Sequence, residues 1–368
     1  MVPYLDLKSV KELHSQQAEQ AVMRVCRSGR YLYGPELSGF EAEYAAYIGT
    51  RHCIGVGNGL DALKLIFRAL IETGKIPSGS EVIIPSHTFI ASQLALTWNG
   101  LVPVPVECSS ETFLMDEDQI EQKITAGTRA LLLVHLYGRC AYSEKLFSIC
   151  RKHGLLLIED NAQAHGCIYN GKRTGSIGFV SAHSFYPGKN LGAMGDAGAV
   201  TTDDDAVADA IRAIANYGGQ RKYEYDYKGV NSRMDEIQAA VLRERLRFLD
   251  EDNSRRKAIA SALIDGIDNP SVKLPSVDGR DNVWHIFPVL CKEREAFMAH
   301  LEKCGVGSLI HYPIPIHRQK CYAEYASLSF PVTEAICAAE VSLPCNPTMT
   351  DQQVQEVIDA VNSFCPLL

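Results

Sequence analysis

The chain has 368 residues, of which 46% are hydrophobic and 22% are charged, a length and composition typical of a soluble globular protein with two domains. Its formal net charge of −8 argues against a nucleic-acid-binding protein, because no basic surplus is left to neutralise a phosphate backbone. The 12 cysteines lack the spacing of a disulfide framework or a metal site, which predicts reduced thiols in a cytoplasmic protein without a bound metal.

Neither a signal peptide nor a membrane span is predicted. Residues 1–16 interleave acidic and basic side chains and contain no apolar core. The segment 82–106 carries no formally charged side chain, but Pro85, Asn99 and Gly100 are among the residues that interrupt it. We therefore interpret this segment as a strand, a helix and a second strand.

The first part of the chain is predicted to be helical. Apolar periodicity predicts one helix over residues 10–27, which Gly29 ends, and another over residues 36–47. An aromatic turn that contains Tyr31 lies between them.

A short strand over His52–Val56 is predicted to lead into a glycine-rich helix start. Free N–H groups and the helix dipole make such a start an anion site. The dinucleotide-binding fingerprint does not fit, because Leu60 stands where its third glycine is required and Glu81 begins the next strand instead of ending it. We therefore predict a phosphate site whose donors are the backbone amides of Asn58, Gly59 and Leu60.

Strands that alternate with helices predict a mostly parallel, doubly wound α/β sheet. The predicted strands cover residues 82–84, 102–106, 130–136 and 155–158, and the predicted crossover helices cover residues 117–124 and 142–152. Phe89 lies just before the helix that follows the first of these strands.

The stretch 155–202 carries the strongest indication of chemistry. Its apolar strand ends at Glu159 and Asp160, which predicts a carboxylate at the C-terminal edge of the sheet, where ligands bind in open α/β sheets. Ser184 and Lys189 follow, and no acidic residue lies within five positions of Lys189. A lysine in this setting can lose its proton near neutral pH through desolvation and attack an aldehyde.

Lys189, Asp160 and Ser184 match the requirements of pyridoxal 5′-phosphate. Its aldehyde needs a lysine, its ring nitrogen needs a carboxylate in order to stay protonated, and its phosphate needs hydroxyl and amide donors. We assign these three tasks to Lys189, Asp160 and Ser184 in that order.

These motifs resemble the DegT/DnrJ/EryC1/StrS family of aminotransferases, which aminate keto groups on nucleotide-linked sugars. The matching segments are residues 159–166 and 184–192, and the similarity extends over nearly the whole chain. The resemblance implies the fold of aspartate aminotransferase (fold type I), with a large cofactor-binding domain over residues 1–250 and a smaller α+β domain over residues 251–368. Lys189 places the chain among the transaminases of the family and not among its dehydratases, which have a histidine at this position.

The resemblance also implies roles for individual residues. Phe89 would stack on the cofactor ring, and Gln163 would lie on the opposite side of the ring. Aromatic–polar alternation over residues 217–233 predicts a hairpin, which in the family reaches into the neighbouring subunit of a homodimer, so that Asn231 would bind the cofactor phosphate across the interface. The residues expected near the substrate are Tyr31, His165, Tyr186, Tyr217, Arg221, Lys222, Tyr312 and His317.

The remaining segments complete the predicted domains. Helices are predicted over residues 206–216 and 234–252, the second of which would link the two domains. A loop over residues 311–319, stiffened by prolines, is expected to form one wall of a pocket.

The implied reaction transfers an amino group from glutamate to the 3-keto group of a dTDP-3-keto-6-deoxyhexose, because residues 55–63, 184–192 and 311–319 together look most like that subgroup. Two alternatives stay open, a C-4 aminotransferase of nucleotide sugars and a cofactor-binding regulatory protein without turnover. Two positions depart from the family pattern, since His183 replaces a usually apolar residue and Asn161 replaces a common alanine.

Overall fold

A seven-stranded sheet forms the centre of the larger part of the chain. The structure, a computed structural model, describes residues 1–219, 221 and 223–366. The strands are β1 (His52–Val56), β2 (Glu81–Pro85), β3 (Val102–Val106), β4 (Thr128–Val134), β5 (Leu156–Asp160), β6 (Ile168–Tyr169), β7 (Lys172–Arg173), β8 (Val180–Ser184), β9 (Gly198–Thr202), β10 (Phe287–Leu290) and β11 (Glu340–Leu343).

The order of strands in this sheet is β1-β9-β8-β5-β4-β2-β3. The pairs from β8 to β3 are parallel, whereas β9 runs antiparallel to both β8 and β1. This topology confirms the predicted mostly parallel α/β sheet. In the register, Asp160 lies beside Val134 on β4 and Ala182 on β8, so the carboxyl ends of three neighbouring strands meet at one edge.

Twelve helices surround the strands in the described part of the chain. They are α1 (Leu7–Glu12), α2 (Ser15–Ser28), α3 (Pro35–Ile48), α4 (Gly59–Glu72), α5 (Ile90–Trp98), α6 (Glu144–His153), α7 (Asp205–Ala215), α8 (Glu236–Leu246), α9 (Leu249–Gly266), α10 (Arg294–Lys303), α11 (Pro331–Ala339) and α12 (Asp351–Asn362). None of these helices is long and apolar enough to cross a bilayer.

The sheet is buried on both faces, as a parallel sheet between helices requires. Successive residues of a strand point to opposite faces. Accordingly, Val82 and Ile84 pack in one core cluster while Ile83 packs in the other. On β5, Ile158 packs in the cluster of Val82 and Leu157 packs in the cluster of Ile83.

A second, smaller core lies around the β10–β11 pair. It includes Ile259 of α9, Phe287 of β10, Phe297 of α10 and Val357 of α12. Val2 packs in this core as well, and its backbone bonds with residues 305 and 307. Residue 250, where the sequence predicts the division between the two domains, lies in the first turn of α9. The division itself stays a prediction.

Two predicted helices are interrupted. The helix expected over residues 10–27 is broken between α1 and α2, and the helix expected over residues 234–252 is broken between α8 and α9. His14 at the first break stacks on Phe248 at the second, with ring centroids 3.9 Å apart and planes at 7°. A tertiary contact therefore joins the two breaks, and apolar periodicity cannot show such a contact.

The crossover helix predicted over residues 117–124 is wrong. Two short 3₁₀ turns, Glu117–Gln119 and Glu121–Lys123, occupy this segment. The Asp116 side chain accepts a hydrogen bond from the amide of Asp118, and such a local bond favours a tight turn over an α-helix.

Glu159 fixes the end of β5. Its fully buried carboxylate lies 3.1 Å from His135 Nε2 and accepts the backbone amides of Gly175, Ile177 and Gly178 at 2.5, 3.1 and 2.7 Å. Burial alone would raise the pKa of Glu159, but the hydrogen bonds from His135 and from the amides outweigh burial and lower it. Glu159 therefore joins β4, β5 and the loop that precedes β8.

Substitution Glu159→Ala should lower the free energy of unfolding by about 3 kcal/mol or more, because it leaves several buried donors without an acceptor. The midpoint of urea unfolding followed by circular dichroism measures this loss. Glu121→Ala is the matched control, since the Glu121 carboxylate pairs with Lys152 and His153 at the surface and its removal should shift the midpoint far less. Equal shifts for the two variants would contradict the structural role of Glu159.

Candidate active site

A cavity of about 720 Å³ opens at the carboxyl edge of the sheet, next to the core around β10 and β11. Its volume lies within the usual range for small-molecule sites. Of the residues predicted from the sequence, those that line this cavity are Asn58, Gly59, Leu60, Phe89, Asp160, Gln163, Ser184, Tyr186, Lys189 and Tyr312.

Asp160 presents a buried carboxylate to the cavity. It ends β5, and only 7% of the residue is exposed. Its two oxygens accept hydrogen bonds from Ser92 Oγ at 3.0 Å and from the amide of Ala162 at 3.2 Å. Burial raises the pKa of Asp160, although these two bonds and the charge of Lys189 oppose the rise. The carboxylate is thus suited to sharing a proton with a buried base.

Lys189 presents an amine without an ion-pair partner. It follows the turn Tyr186-Pro187-Gly188, which its own amide closes by donating to the carbonyl of Tyr186 at 2.8 Å. Among the described residues, no carboxylate oxygen lies within 4.0 Å of its Nζ atom. Burial lowers the pKa of Lys189 to about 8, and the charge of Asp160 offsets part of this effect. A substantial fraction of the amine is therefore uncharged and nucleophilic near neutral pH.

The predicted phosphate site lies where the start of α4 meets the end of β8. The side chain of Asn58 caps α4 by accepting the amide of Asp61 at 2.8 Å. The amides of Gly59 and Leu60 have no acceptor among the described residues, and neither has the hydroxyl of Ser184. A Cβ atom on Gly59 would lie 2.5 Å from Cβ of Ser184, so this close approach requires glycine.

Phe89, Gln163 and Tyr312 form a connected wall of the cavity. Gln163 Nε2 donates to the hydroxyl of Tyr312 at 3.1 Å, and its Oε1 accepts the amide of Tyr137 at 2.6 Å. The rings of Phe89 and Tyr312 have centroids 5.3 Å apart. Gln163 therefore ties the loop after β5 to the loop that carries Tyr312.

Two predicted substrate residues are buried outside the cavity lining. His165 packs on Phe185 with ring centroids 5.3 Å apart, and its ring nitrogens have no hydrogen-bond partner among the described residues. His317 is 3% exposed, and its Nε2 lies 2.8 Å from Glu334 Oε1. These positions give no support to a contact of either histidine with substrate.

Four other predicted residues lie at the surface away from the cavity. They are Tyr31, Tyr217, Arg221 and Asn231. Their predicted roles involve either the substrate or the neighbouring subunit and stay predictions. Lys222 lies outside the described residues.

The hairpin predicted over residues 217–233 has an irregular form in the described residues. Its cross-strand pairs are the isolated bridges Asn216–Asn231 and Arg221–Glu224. The carbonyl of Gly218 accepts the amides of both Asp226 and Tyr227, at 2.9 and 3.1 Å, which interrupts a regular ladder.

His183 and Asn161, the two departures from the family pattern, belong to a polar network outside the cavity lining. His183 Nδ1 lies 3.0 Å from the hydroxyl of Tyr44 and 3.3 Å from Asn161 Nδ2. Its Nε2 lies 2.8 Å from Thr201 Oγ1, while Asn161 Oδ1 accepts the hydroxyl of Thr174 at 2.7 Å. The two unusual residues thus satisfy each other and leave the cavity donors unchanged.

Comparison with known proteins identifies the family. The family model "DegT/DnrJ/EryC1/StrS aminotransferase family" matches residues 13–362. The chain belongs to this aminotransferase family. The predicted family is therefore confirmed, and with it the fold of its transaminases.

Relatives of this aminotransferase cover almost its whole length. It is 49% identical to a dTDP-3-amino-3,6-dideoxy-alpha-D-galactopyranose transaminase of Aneurinibacillus thermoaerophilus, over 99% of each chain. It is 47% identical to a dTDP-3-amino-3,4,6-trideoxy-alpha-D-glucose transaminase of Streptomyces venezuelae, over 99% of this chain and 96% of the relative. The crystal structure of S. venezuelae DesV in complex with a ketimine intermediate superposes with a TM-score of 0.94 at 47% identity, covering 98% of this chain and 97% of DesV.

Several residues that line the cavity of this aminotransferase were not predicted from the sequence. Four of them have an aromatic or guanidinium side chain, namely Tyr4, Arg256, His285 and His311. His311 lies in the loop that the sequence identified as a pocket wall. The others come from segments that carry no motif, and Arg256 in particular stands in the run Arg255-Arg256-Lys257, which resembles an exposed charged helix face.

The buried amine of Lys189 should titrate near pH 8. In cofactor-free protein, reductive trapping of Lys189 by an aldehyde should increase with pH around this midpoint, because the uncharged amine is the nucleophile. Asp160→Asn should move the midpoint to lower pH, since the carboxylate favours the ammonium form. Peptide mass spectrometry measures the trapping, with labelling of the exposed Lys172 as the reference for reagent decay. A midpoint at the ordinary lysine value of about 10.4 would contradict this assignment.

Proposed function

We propose that the chain is a pyridoxal-phosphate-dependent aminotransferase that moves an amino group from L-glutamate to the 3-keto group of a dTDP-3-keto-6-deoxyhexose. The proposal rests on one observation. The buried amine of Lys189, which has no ion-pair partner, and the buried carboxylate of Asp160 line the same cavity. The choice of C-3 rests on the two relatives at 49% and 47% identity, both of which are named as transaminases of dTDP-3-amino sugars.

The residues around the cavity fit this cofactor. The free amides of Gly59 and Leu60 and the free hydroxyl of Ser184 offer a phosphate three donors at a helix N-terminus. Asp160 offers an acceptor to a protonated ring nitrogen, and the half-exposed ring of Phe89 offers an apolar face to a flat heterocycle. When bound, pyridoxal phosphate supplies an electron-accepting ring that stabilises negative charge at the α-carbon of the amino donor.

Lys189 and Asp160 then divide the movement of protons. Lys189, whose pKa is lowered to about 8, would accept the proton that leaves the α-carbon of glutamate and later release it. Asp160 would accept a hydrogen bond from the protonated ring nitrogen of the cofactor and so keep the ring electron-accepting. Ser92 and the amide of Ala162 keep its two oxygens in place, so the acid stays aligned with the ring.

The exposed aromatic surface supports a homodimer with shared sites. Tyr31, Tyr33, Tyr217 and Tyr225 are 51%, 47%, 52% and 60% exposed. Arg233 joins two of these rings, because its guanidinium carbon lies 5.8 Å from the ring centroid of Tyr33 and 5.7 Å from that of Tyr217. Exposed tyrosines around an arginine are typical of a protein interface. Asn231 lies at the exposed end of the same segment, where it would reach the phosphate site of the partner.

Purified protein supplied with pyridoxal phosphate, glutamate and a dTDP-3-keto-6-deoxyhexose should release 2-oxoglutarate and the corresponding dTDP-3-amino sugar. Lys189→Ala should lower kcat by about 10³-fold or more, because it removes both the covalent anchor and the general base. Product NMR identifies the aminated carbon, and Lys172→Ala is the surface control. Preferred amination of a 4-keto sugar nucleotide in the parallel assay would overturn the choice of C-3. Full transfer by Lys189→Ala would overturn the mechanism.

Mixed dimers test the proposed shared site. Inactive Lys189→Ala and inactive Asn231→Asp subunits should regain about one quarter of wild-type activity after mixing and subunit exchange, because half of the dimers then contain one site with both native residues. Steady-state rates before and after exchange measure this gain. Mixing Lys189→Ala with Ser184→Ala subunits is the control, since both residues belong to the same chain's half of the site. Equal recovery in both mixtures, or none in either, would contradict a contribution of Asn231 across the interface.

A further inference from the structure

Arg256 is a buried cation that borders the cavity. It lies on α9 with 3% of its surface exposed, and its Nη1 atom donates to the carbonyls of Trp284 at 3.3 Å and Cys345 at 2.5 Å. Burial lowers the pKa of Arg256, yet a guanidinium stays protonated at any working pH. The positive charge is therefore permanently present in the wall of the site.

No carboxylate among the described residues forms an ion pair with Arg256. Arg139, which is similarly buried, pairs with Asp278 at 2.7 Å. Asp252, one turn before Arg256 on α9, lies instead 3.5 Å from His14 Nε2. The charge of Asp252 favours the protonated guanidinium from a distance without forming a direct ion pair with it. A buried cation without a direct ion pair is costly, so this arrangement favours an anion that enters from the cavity.

The unpaired edge of the guanidinium has the shape of a carboxylate receptor. Its Nε atom is buried and has no hydrogen-bond partner among the described residues, and Nη2 donates no hydrogen bond to them. These two nitrogens form one edge of the planar group, and that edge matches the two oxygens of a carboxylate. The opposite corner, Nη1, is already held by the two carbonyls, so the edge is fixed in orientation.

Tyr4 lines the same cavity as Arg256. Residues 1–4 are held against the second core through Val2, and the ring of Tyr4 packs on His311 with centroids 5.7 Å apart. Burial raises the pKa of Tyr4, and the nearby charge of Arg256 opposes the rise. The phenol therefore stays a neutral donor, and its hydroxyl has no partner among the described residues.

His285 lines the cavity together with Lys189 and Arg256. Burial lowers the pKa of His285, and the charges of Lys189 and then Arg256 lower it further. His285 Nδ1 lies 3.2 Å from Oδ1 of Asn190, the residue after Lys189. Lys189 and Arg256 line the same cavity, so an amino acid whose α-carbon faces Lys189 shares this cavity with the guanidinium.

We infer that Arg256 and Tyr4 bind the carboxylate of the amino donor, an α-amino acid, and of the 2-oxo acid that leaves. This inference rests on the proposed transamination. The diphosphate of the sugar nucleotide is the other anion in the reaction. A single bidentate edge in the cavity that Lys189 lines fits one carboxylate and offers too few donors for a diphosphate.

Each half-reaction involves only one of these two anions, so the two can be tested separately. Stopped-flow absorbance of the holoenzyme mixed with glutamate reports the first half-reaction, and enzyme loaded with pyridoxamine phosphate and mixed with the keto-sugar nucleotide reports the second. Arg256→Met should raise the half-saturating glutamate concentration by about 30- to 100-fold, and Tyr4→Phe by about 5-fold, as expected for one charged and one neutral hydrogen-bonding group. Half-saturation by the keto-sugar nucleotide should change by less than about 3-fold.

Two further variants keep the test decisive. Arg256→Lys retains a charge that can bond the two carbonyls but loses the bidentate edge, so it should raise half-saturation by glutamate about 10-fold even if Arg256→Met fails to fold. Arg255→Met is the matched control, because Arg255 on the same helix pairs with Asp351 away from the cavity. Calorimetric titration of the holoenzyme with glutarate, an unreactive dicarboxylate, should show parallel losses of affinity.

Each outcome has a distinct meaning. Selective loss of the sugar half-reaction in Arg256→Lys would assign the cation to the diphosphate and overturn the inference. Unchanged glutamate and glutarate affinity in Arg256→Lys and Tyr4→Phe would also overturn it, leaving Arg256 a structural role only. Failure of the wild-type protein to react with glutamate at all would instead contradict the proposed function.

Discussion

The organisation of the site depends on how β5 ends. Glu159 and Asp160 are consecutive, so their side chains leave the strand on opposite faces of the sheet. Glu159 binds His135 and the loop that precedes β8, while Asp160 faces the cavity. The Glu159 carboxylate thereby fixes the position of the Asp160 carboxylate. Because β8 follows that loop and leads to Ser184, the same contact also sets the position of the lysine turn relative to Asp160.

Burial gives the cavity its chemical character. For Lys189, Asp160 and Arg256 alike, burial favours the uncharged form. In the proposed mechanism this makes the Lys189 amine nucleophilic and lets Asp160 hold a proton beside the cofactor ring. Arg256 cannot lose its proton, so its burial yields an affinity for an anion instead. Burial thus gives these three side chains three different chemical properties.

The sequence indicated the parts of this site that follow local rules. The bounds of β1 and β3 follow from apolar runs between turn residues, and Asp160, Ser184 and Lys189 lie where strand ends and a glycine-rich turn placed them. Features that depend on distant contacts were not predictable. His14 stacks on Phe248 where two helices that looked continuous are interrupted, and His317 is held by Glu334 away from the cavity.

The same limit explains why Arg256 and Tyr4 escaped notice. Arg256 stands among other basic residues on a helix whose pattern does not distinguish a buried side from an exposed one. Tyr4 reaches the cavity because Val2 is bound near Val306, a pairing between segments far apart in the chain. Closing so long a loop is entropically unfavourable until both cores exist, so this contact should form late during refolding. The seven-stranded sheet can therefore assemble well before the enclosure around Lys189 is finished, and recovery of secondary structure will precede recovery of a closed site.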